Sequence, residues 1–345
     1  MTSDQKAQIN KVKNIFVATD TLQNLIDKME DIRELSIIDS YKNAPDCMFI
    51  TGETGVGKTT LIEQYMAVND RYDEPFEGGE RTIVPVLYCS LPKAKHPKPV
   101  VSELLYELSK SNYGIKGDVT DLTKTLIGQI KAANVELIII DEFQHAIETT
   151  NKNVIQDIGE WFKIFLNKAK IPMVFVGVPW CYPILQINEQ LRRRVRKRHC
   201  KITNYTIETF SEFQRFIQAI ENQLPVKPFE NTYLSLNAFR LFAASGGNIS
   251  ELMDGVIIPA CIKAIKDNSD VITKIHFIEA IEENTDFLRE NNPFVLDIKD
   301  IIAKQQVTDS SWNPKAKKQE QRIIYPQYAS VSFENLTIRE VLSKR

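Results

Sequence analysis

Apolar residues are spaced in two different ways along this chain. Up to about residue 202, short continuous apolar runs alternate with stretches in which apolar residues recur at helical spacing. Runs of this kind predict strands that are buried on both faces, as parallel sheets require. We predict strands at residues 47–50, 82–89, 137–140 and 172–177. The alternation therefore predicts an α/β fold built around a parallel central sheet.

The pattern changes in the second part of the chain. Residues 203–290 have helical apolar spacing throughout, which predicts a smaller helical domain with its own core. The chain over residues 291–345 is mostly polar, and residues 303–345 carry eight Lys or Arg and four Asp or Glu. This composition predicts a flexible basic C-terminal tail. With a helical extension over residues 1–40, the α/β domain spans residues 41–202.

The first predicted strand leads into residues 52–59, whose sequence Gly-Glu-Thr-Gly-Val-Gly-Lys-Thr fits the P-loop pattern. Glycines let the backbone turn tightly and direct several N–H groups at phosphate oxygens. Lys58 would reach the β- and γ-phosphates of ATP, and the Thr59 hydroxyl would bind Mg²⁺. The alternative, a glycine turn without a ligand, is less favoured because a strand precedes the loop and a helix follows it. We expect the nucleotide to contact Gly52, Glu53, Thr54, Gly55, Val56, Gly57, Lys58, Thr59 and Thr60.

Beyond the P-loop helix, a polar stretch over residues 69–81 predicts a loop. Further on, two carboxylates follow the apolar run at residues 137–140. Asp141 and Glu142 stand where the carboxyl end of a parallel strand places ligand-binding groups. Asp141 would hold Mg²⁺, directly or through water, and Glu142 would polarise the water that attacks the γ-phosphate. The alternative is a helix N-cap followed by a first-turn charge. The position about 80 residues after a P-loop favours a Walker B motif.

Two segments concentrate basic residues. Residues 91–99 hold three lysines and three prolines, which predicts an extended, exposed loop that either contacts a phosphate backbone or is only solvated. Residues 191–201 contain seven basic residues and no acidic one. This cluster could supply an arginine to the γ-phosphate of a neighbouring subunit, bind nucleic acid or form a solvated basic face. Its position after the fourth predicted strand favours the first alternative for one or two of the arginines.

Composition excludes several classes of protein. The formal net charge is −2, so partners are indicated by local clusters and not by the total. Five cysteines without a C-x-x-C pair predict reduced thiols rather than a disulfide framework or a zinc site. The first residues lack the apolar core of a signal peptide, and no run approaches the roughly 20 apolar residues of a membrane span. We expect a cytoplasmic protein that does not bind a membrane.

The order of these features resembles that of AAA+ ATPases, and more closely that of the TniB/TnsC group of ATP-dependent regulators of DNA transposition. The P-loop through Thr60 and the Walker B stretch at residues 139–145 match, although many NTPases share them. The narrower likeness lies in Ile-Pro-Met-Val-Phe-Val-Gly-Val-Pro at residues 171–179 and in Gln-Leu-Arg-Arg-Arg at residues 190–194. The resemblance covers roughly residues 35–290.

This resemblance implies a specific function. Members of the group bind ATP and Mg²⁺ between subunits and assemble as rings or filaments around duplex DNA in the bacterial cytoplasm. They connect a target-selection protein of the TniQ type to the transposase, and hydrolysis helps to disassemble them. The basic C-terminal tail would contact transposase subunits.

The resemblance also implies roles for individual residues. The P-loop and Walker B residues keep the roles given above, with Lys58 and Glu142 at the reaction and with Thr59 and Asp141 on the metal. A neighbouring subunit's nucleotide would receive an arginine finger from Arg192, Arg193 or Arg194. The loops at residues 93–98 and 149–153 would line the DNA path, with phosphate contacts from Lys93, Lys95, Lys98 and Lys152.

Two positions depart from the AAA+ pattern. Val178 stands where many members carry a polar sensor residue, and residues 246–251 lack the arginine that many place in the lid domain. Both departures predict slow hydrolysis, with the ATP-bound assembly as the working state. Two other hypotheses remain open. A scaffold or signalling NTPase would use the nucleotide as a switch and never touch DNA. An initiator or helicase loader would need a dedicated DNA-reading domain, which residues 203–290 do not obviously provide.

Overall fold

The computed structural model describes residues 1–43, 45–111, 115–146, 152–182, 189–195, 198–229, 233–313, 315–316 and 321–335. Its strands are β1 (Met48–Thr51), β2 (Tyr72–Phe76), β3 (Gly79–Ile83), β4 (Val86–Ser90), β5 (Leu137–Asp141), β6 (Met173–Gly177), β7 (His199–Lys201), β8 (Lys227–Pro228), β9 (Val271–Ile272), β10 (Ile302–Gln306), β11 (Ser311–Trp312), β12 (Ile323–Ile324) and β13 (Tyr328–Ser332). Its α-helices are α1 (Ser3–Lys13), α2 (Asp20–Ile38), α3 (Lys58–Val68), α4 (Pro97–Ser109), α5 (Val119–Ala132), α6 (Lys152–Ala169), α7 (Glu189–Val195), α8 (Phe210–Gln223), α9 (Ala238–Ser245), α10 (Ile249–Leu252), α11 (Ile258–Lys266) and α12 (Lys274–Asn284). Among these helices, none is both long and apolar enough to cross a membrane.

Five strands form the central parallel sheet, in the order β4-β5-β6-β1-β7. β1, β5 and β6 are buried along their whole length, as their continuous apolar runs predict. β6 lies between β1 and β5. The P-loop after β1 and the carboxylates at the end of β5 therefore emerge at the same edge of the sheet, one strand apart.

Helices cover both faces of this sheet. On one face, α2 and α3 pack against inward side chains such as Ile50 and Ile139. On the other face, α4, α5 and α6 pack against Phe49 and Ile138. Neighbouring residues of one strand serve opposite faces because side chains alternate along a strand. The result is the three-layer α/β domain that the sequence predicts.

The structure differs from the sequence-based expectation between residues 69 and 89. The predicted loop over residues 69–81 contains a β-hairpin, in which β2 and β3 pair in antiparallel. The predicted strand over residues 82–89 is divided, because β3 belongs to the hairpin and only β4 joins the central sheet. Pro85 lies at the division, where its missing N–H prevents a continuous ladder. Most hairpin residues are exposed on both faces, so the sequence shows no apolar alternation there.

The helical domain is organised around aromatic side chains. Phe242 meets Phe210 and Phe213 edge-on, with ring centroids 5.8 and 5.6 Å apart. The first helix of the chain also belongs here, since Val12 of α1 is buried in the same core and Gln5 Nε2 donates to the Ile265 carbonyl at 3.0 Å. Because α2 packs on the sheet instead, the N-terminal extension joins the two domains.

The C-terminal segment differs from the flexible tail that the sequence predicts over residues 291–345. β10 and β13 pair in antiparallel, and Ala303 and Val331 on these strands lie in the core of the helical domain. Phe294 stacks on Phe277 with ring centroids 4.8 Å apart. These apolar anchors are separated by polar residues, so only the tertiary contacts order the segment. Residues 336–345 lie outside the described residues.

Candidate nucleotide-binding site

The loop between β1 and α3 turns at glycines. Gly55 and Gly57 have φ values of 81° and 94°, in the left-handed region that glycine adopts without strain. Gly57 is also the N-cap of α3 and provides no side-chain hydrogen bond to the first turn of that helix. The N–H groups of this first turn are the groups that a helix presents to an anion. The loop thus has the form expected of a phosphate site.

Lys58 lies at the mouth of this loop. Its Nζ donates hydrogen bonds to the carbonyl oxygens of Gly52 and Glu53, both at 2.8 Å. Burial lowers the pKa of Lys58 because it disfavours the charged ammonium, and the carboxylates of Asp141 and Glu142 act in the opposite direction. The negative charges of Asp141 and Glu142 therefore favour the charged form of Lys58.

Asp141 is a buried carboxylate, with 3% of the residue exposed. Its Oδ2 accepts a hydrogen bond from the Tyr88 hydroxyl at 3.3 Å, and its Oδ1 accepts one from the Glu142 N–H at 2.7 Å. Burial is the main reason that the pKa of Asp141 is raised, while the Glu142 N–H and Lys58 counteract it. These contacts hold the carboxylate in a single orientation at the end of β5.

Glu142 has φ 52°, an uncommon conformation for a residue with a side chain. Its carboxylate lines the cleft beside the P-loop. Gln144 Nε2 donates to Glu142 Oε2, and Gln144 Oε1 accepts from the Val178 N–H at 3.4 Å. The sequence alone does not single out Gln144, because its contacts depend on β6 lying next to β5.

The P-loop opens into a cleft of about 580 Å³ between the two domains, a size that suits a small-molecule ligand. The helical domain contributes apolar side chains, among them Phe216 and Met253. Residues 13–17, from the last residue of α1 into the segment before α2, line the same cleft. The sequence assigns these residues only to an N-terminal extension. The local signal in the sequence is that Ile15, Phe16 and Val17 are consecutive apolar residues rather than residues at helical spacing.

The helical domain also contacts the P-loop directly. Asn248 Nδ2 donates to the Thr54 carbonyl, and the Ser250 N–H donates to the Gly55 carbonyl, both at 2.9 Å. A Cβ on Gly55 would lie 2.5 Å from Asn248 Oδ1. Gly55 is therefore needed both for its backbone conformation and for this close approach. The stretch in which the lid arginine is missing thus contacts the P-loop through an asparagine.

Mg²⁺ fits the oxygen donors at this edge. Thr59 lines the cleft, and the buried Asp141 carboxylate ends β5 and favours the charged form of Lys58. A hydroxyl and a carboxylate are hard oxygen ligands of the kind that Mg²⁺ prefers, together with substrate phosphates and water.

The predicted DNA contacts begin at the same edge of the sheet. The Leu91 N–H donates to the Asp141 carbonyl at 3.0 Å, and Lys93, Lys95 and Lys98 follow on exposed positions. Lys98 belongs to α4, which begins at Pro97 within the predicted loop, since proline is favoured in a first helical turn. The side chain of Lys152 and residues 149–151 lie outside the described residues.

The predicted arginines lie away from this cleft. Arg194 donates from Nη1 to the Pro45 carbonyl at 3.1 Å and from Nη2 to Asn167 Oδ1 at 2.6 Å. Arg193 is the most exposed of the three and pairs with Glu189 at 2.9 Å, and Arg192 lies 3.8 Å from the same carboxylate. Pro45 precedes β1, whereas the P-loop follows it. The arginines therefore lie near the opposite end of β1 and cannot complete the cleft of their own chain.

Solved structures similar to this chain include two ORC proteins and a Cdc6 protein. The ORC2 protein of Aeropyrum pernix, determined in ADPNP–ADP complexes, has a TM-score of 0.60 at 14% identity over 81% of this chain and 72% of that chain. Cdc6p from Pyrobaculum aerophilum has a TM-score of 0.53 at 12% identity over 84% and 74%. The A. pernix ORC1 protein, determined in complex with DNA, has a TM-score of 0.52 at 13% identity over 74% and 64%. At these identities the likeness is one of fold, the AAA+ P-loop NTPase fold with its parallel sheet and helical domain.

No curated protein matches this sequence. The model of the family described as bacterial TniB protein matches residues 8–204. This range holds more than half of the chain and runs from within α1 to beyond β7, so it includes the P-loop, both Walker B carboxylates and α7. The chain therefore belongs to the TniB family.

Proposed function

We propose that this protein is an ATP-dependent regulator of DNA transposition, which oligomerises on duplex DNA and links target selection to the transposase. The observation that carries the proposal is the P-loop cleft, lined by Lys58, Thr59 and Glu142, in a chain that belongs to the TniB family. The proposed partners are transposase subunits and a target-selection protein of the TniQ type.

The site residues divide the chemistry of ATP hydrolysis among them. The P-loop N–H groups and Lys58 bind the phosphates and balance their charge. Glu142 lines the cleft and is the proposed base toward the attacking water. Thr59 and Asp141 would hold Mg²⁺, which when bound neutralises negative charge on the phosphates. Val178 supplies no polar side chain beyond β6, which supports slow turnover.

A second copy of the chain is part of this proposal. Each chain supplies the P-loop cleft, while Arg192, Arg193 and Arg194 lie near the opposite end of β1. A head-to-tail contact would bring the arginines of one subunit to the nucleotide of the next. Such heterologous contacts form rings or filaments, and Arg193 is the best-placed finger because 74% of its side chain is exposed.

Duplex DNA is the proposed ligand of the edge that carries Lys93, Lys95, Lys98 and Lys152. The three described side chains are exposed, and they follow Leu91, whose N–H donates a hydrogen bond to the Asp141 carbonyl at the end of β5. Lysine contacts to phosphates carry affinity without reading bases. We therefore expect weak sequence preference and a linear loss of log affinity with log salt.

The test is sedimentation velocity of the full chain with a non-hydrolysable ATP analogue, with and without duplex DNA, beside Lys58→Ala. Assemblies that need both ligands are expected for the wild type, and Lys58→Ala should lose them because it removes the phosphate contact. Lys299→Ala is the matched control, since Lys299 is exposed in the short turn Ile298–Asp300.

The two other hypotheses predict different outcomes. A DNA-independent scaffold would change size or partner binding with nucleotide alone and show no DNA affinity. An initiator or loader would bind a particular duplex sequence in preference to others. Nucleotide binding with no change in size or DNA affinity would rule out the proposal.

A further inference from the structure

The carboxylate of Glu142 is hydrogen-bonded to a side chain that also contacts the end of the neighbouring strand β6. Gln144 Nε2 donates to Glu142 Oε2, and Gln144 Oε1 accepts from the Val178 N–H at 3.4 Å. The glutamine amide thus joins the end of β5 to the end of β6. Val178 is the position at which a polar sensor side chain is missing, and its backbone N–H is the group that Gln144 engages.

We propose that Gln144 is the positioning residue for Glu142: it orients the carboxylate for proton transfer and links it to the end of β6 in place of a polar side chain at residue 178. This inference rests on the proposed ATP hydrolysis. It does not assign Gln144 a contact with the nucleotide.

This bridge needs a side chain that both donates and accepts a hydrogen bond. The side-chain amide offers N–H donors at one atom and an acceptor at the other. A carboxylate such as Glu142 accepts hydrogen bonds but donates none, so its partner must be a donor, whereas the Val178 N–H needs an acceptor. Glutamic acid at residue 144 would lose the donor and place a second negative charge beside Glu142.

The backbone around Gln144 is fixed by packing. Phe143, the preceding residue, is 1% exposed and lies 4.9 Å from Phe175 and 5.7 Å from Phe49, measured between ring centroids. The four residues Phe143–Ala146 form a single 3₁₀ turn. A buried aromatic anchor next to the glutamine therefore limits where the amide can move.

The end of β6 leaves room for the amide. A Cβ on Gly177 would lie 3.0 Å from Gln144 Oε1 and 2.8 Å from Cys181 Sγ. Any larger residue there would press on the bridge. The Gln144 amide therefore fits beside residue 177 because glycine has no side chain.

The 3₁₀ turn Phe143–Ala146 is also hydrogen-bonded to the loop over residues 91–99. A ring nitrogen of His145, Nδ1, hydrogen-bonds with the Leu91 carbonyl at 2.8 Å, and the Leu91 N–H reaches the Asp141 carbonyl at 3.0 Å. The segment that orients Glu142 is therefore anchored on β6 through Gln144 and on the loop before Lys93 through His145.

The test compares Gln144→Met and Gln144→Glu with wild type, in steady-state ATP hydrolysis and in equilibrium binding of a non-hydrolysable ATP analogue. Gln144→Met preserves length and removes both polar atoms, and Gln144→Glu preserves shape and removes the donor. We expect kcat to fall about ten- to a hundredfold in both variants, while KM and the Kd of the analogue change less than about twofold. Gln156→Met, at an exposed position on α6, is the matched control.

Two further outcomes separate this inference from the proposed function. Unchanged kcat in both variants beside a hydrolysing wild type would overturn the inference alone, as would an equal loss of analogue binding, which indicates a general structural role. A wild-type chain that binds the analogue but does not hydrolyse ATP would overturn both. If Gln144→Met does not fold, the comparison of Gln144→Glu with wild type is sufficient to test the inference.

Discussion

The nucleotide edge of the sheet and the C-terminal segment both belong to the folded structure, but the residues that define them are spaced differently along the sequence. At the nucleotide edge, the functional groups stand in two contiguous motifs. In the C-terminal segment, single anchors reach partners far away in the chain. The Ser310 N–H donates to Glu53 Oε1 at 2.5 Å across 257 positions, and Trp312 stacks on Trp180 at 5.7 Å.

The C-terminal segment also contacts both domains and the P-loop. β10 pairs with β13 on the helical domain, while Trp312 and Ile323 pack against the core of the α/β domain. The contact between Ser310 and Glu53 brings the segment to the P-loop itself. This segment, whose composition predicts a flexible tail, therefore contacts both domains beside the cleft. Its average composition gives no indication of these contacts.

The largest effect is expected from Phe294→Ala. Phe294 is 1% exposed and stacks on Phe277, so its truncation should lower the free energy of unfolding by about 3–5 kcal/mol. Urea denaturation measures this loss. Val295→Ala next to it, 40% exposed, should change stability by about 0.5 kcal/mol or less. Equal effects of the two variants would show that the segment is not part of the core.

A smaller effect is expected from Trp312→Ala, which removes the stack on Trp180 and the contact with Arg322, whose guanidinium lies 5.8 Å from the ring. An aromatic pair and a cation–π contact together suggest a loss of about 1–2 kcal/mol. Limited proteolysis of the native chain should then cut faster after residue 291. Tyr325→Ala, at a residue that is 72% exposed, is the control, and the same cleavage rate in both variants would contradict the prediction.

The smallest effect is expected from Asp309→Asn, which removes the ion pair with Lys201. Both side chains are partly exposed, 42% for Lys201 and 32% for Asp309, so solvent screening should keep the loss near 0.2–1 kcal/mol. The difference from wild type should shrink further in high salt. Thermal melting at two salt concentrations measures it, beside the exposed Asp300→Asn. A large loss of stability that does not depend on salt would indicate that packing, rather than the ion pair, stabilises the contact between Lys201 and Asp309.

The central sheet and the P-loop could be predicted because their signals are local. Apolar runs of four to six residues mark strands that are buried on both faces, and the P-loop sequence carries its own turn geometry in Gly55 and Gly57. Asp141 and Glu142 were assigned from their place after such a run. Asp141 is buried at the end of β5, and both carboxylates favour the charged form of Lys58. The catalytic and metal-binding roles of the two residues stay a prediction that this arrangement supports.

Other features could not be predicted from local sequence. The β2–β3 hairpin is exposed on both faces, so it has no apolar alternation to mark it. Residues 13–17 line the cleft only because α1 packs on the helical domain while α2 packs on the sheet. Gln144 meets the Val178 N–H because β6 lies beside β5.

The sequence by itself determined the α/β class, the turn geometry of the P-loop and the presence of a helical domain after the sheet domain, because hydrophobic spacing and glycine geometry act over a few residues. Only the tertiary structure decided which distant side chains complete the cleft, how Glu142 is held and where the C-terminal segment packs. Those outcomes depend on contacts between residues far apart in the chain, which form only when burying apolar surface offsets the entropy of ordering the segments.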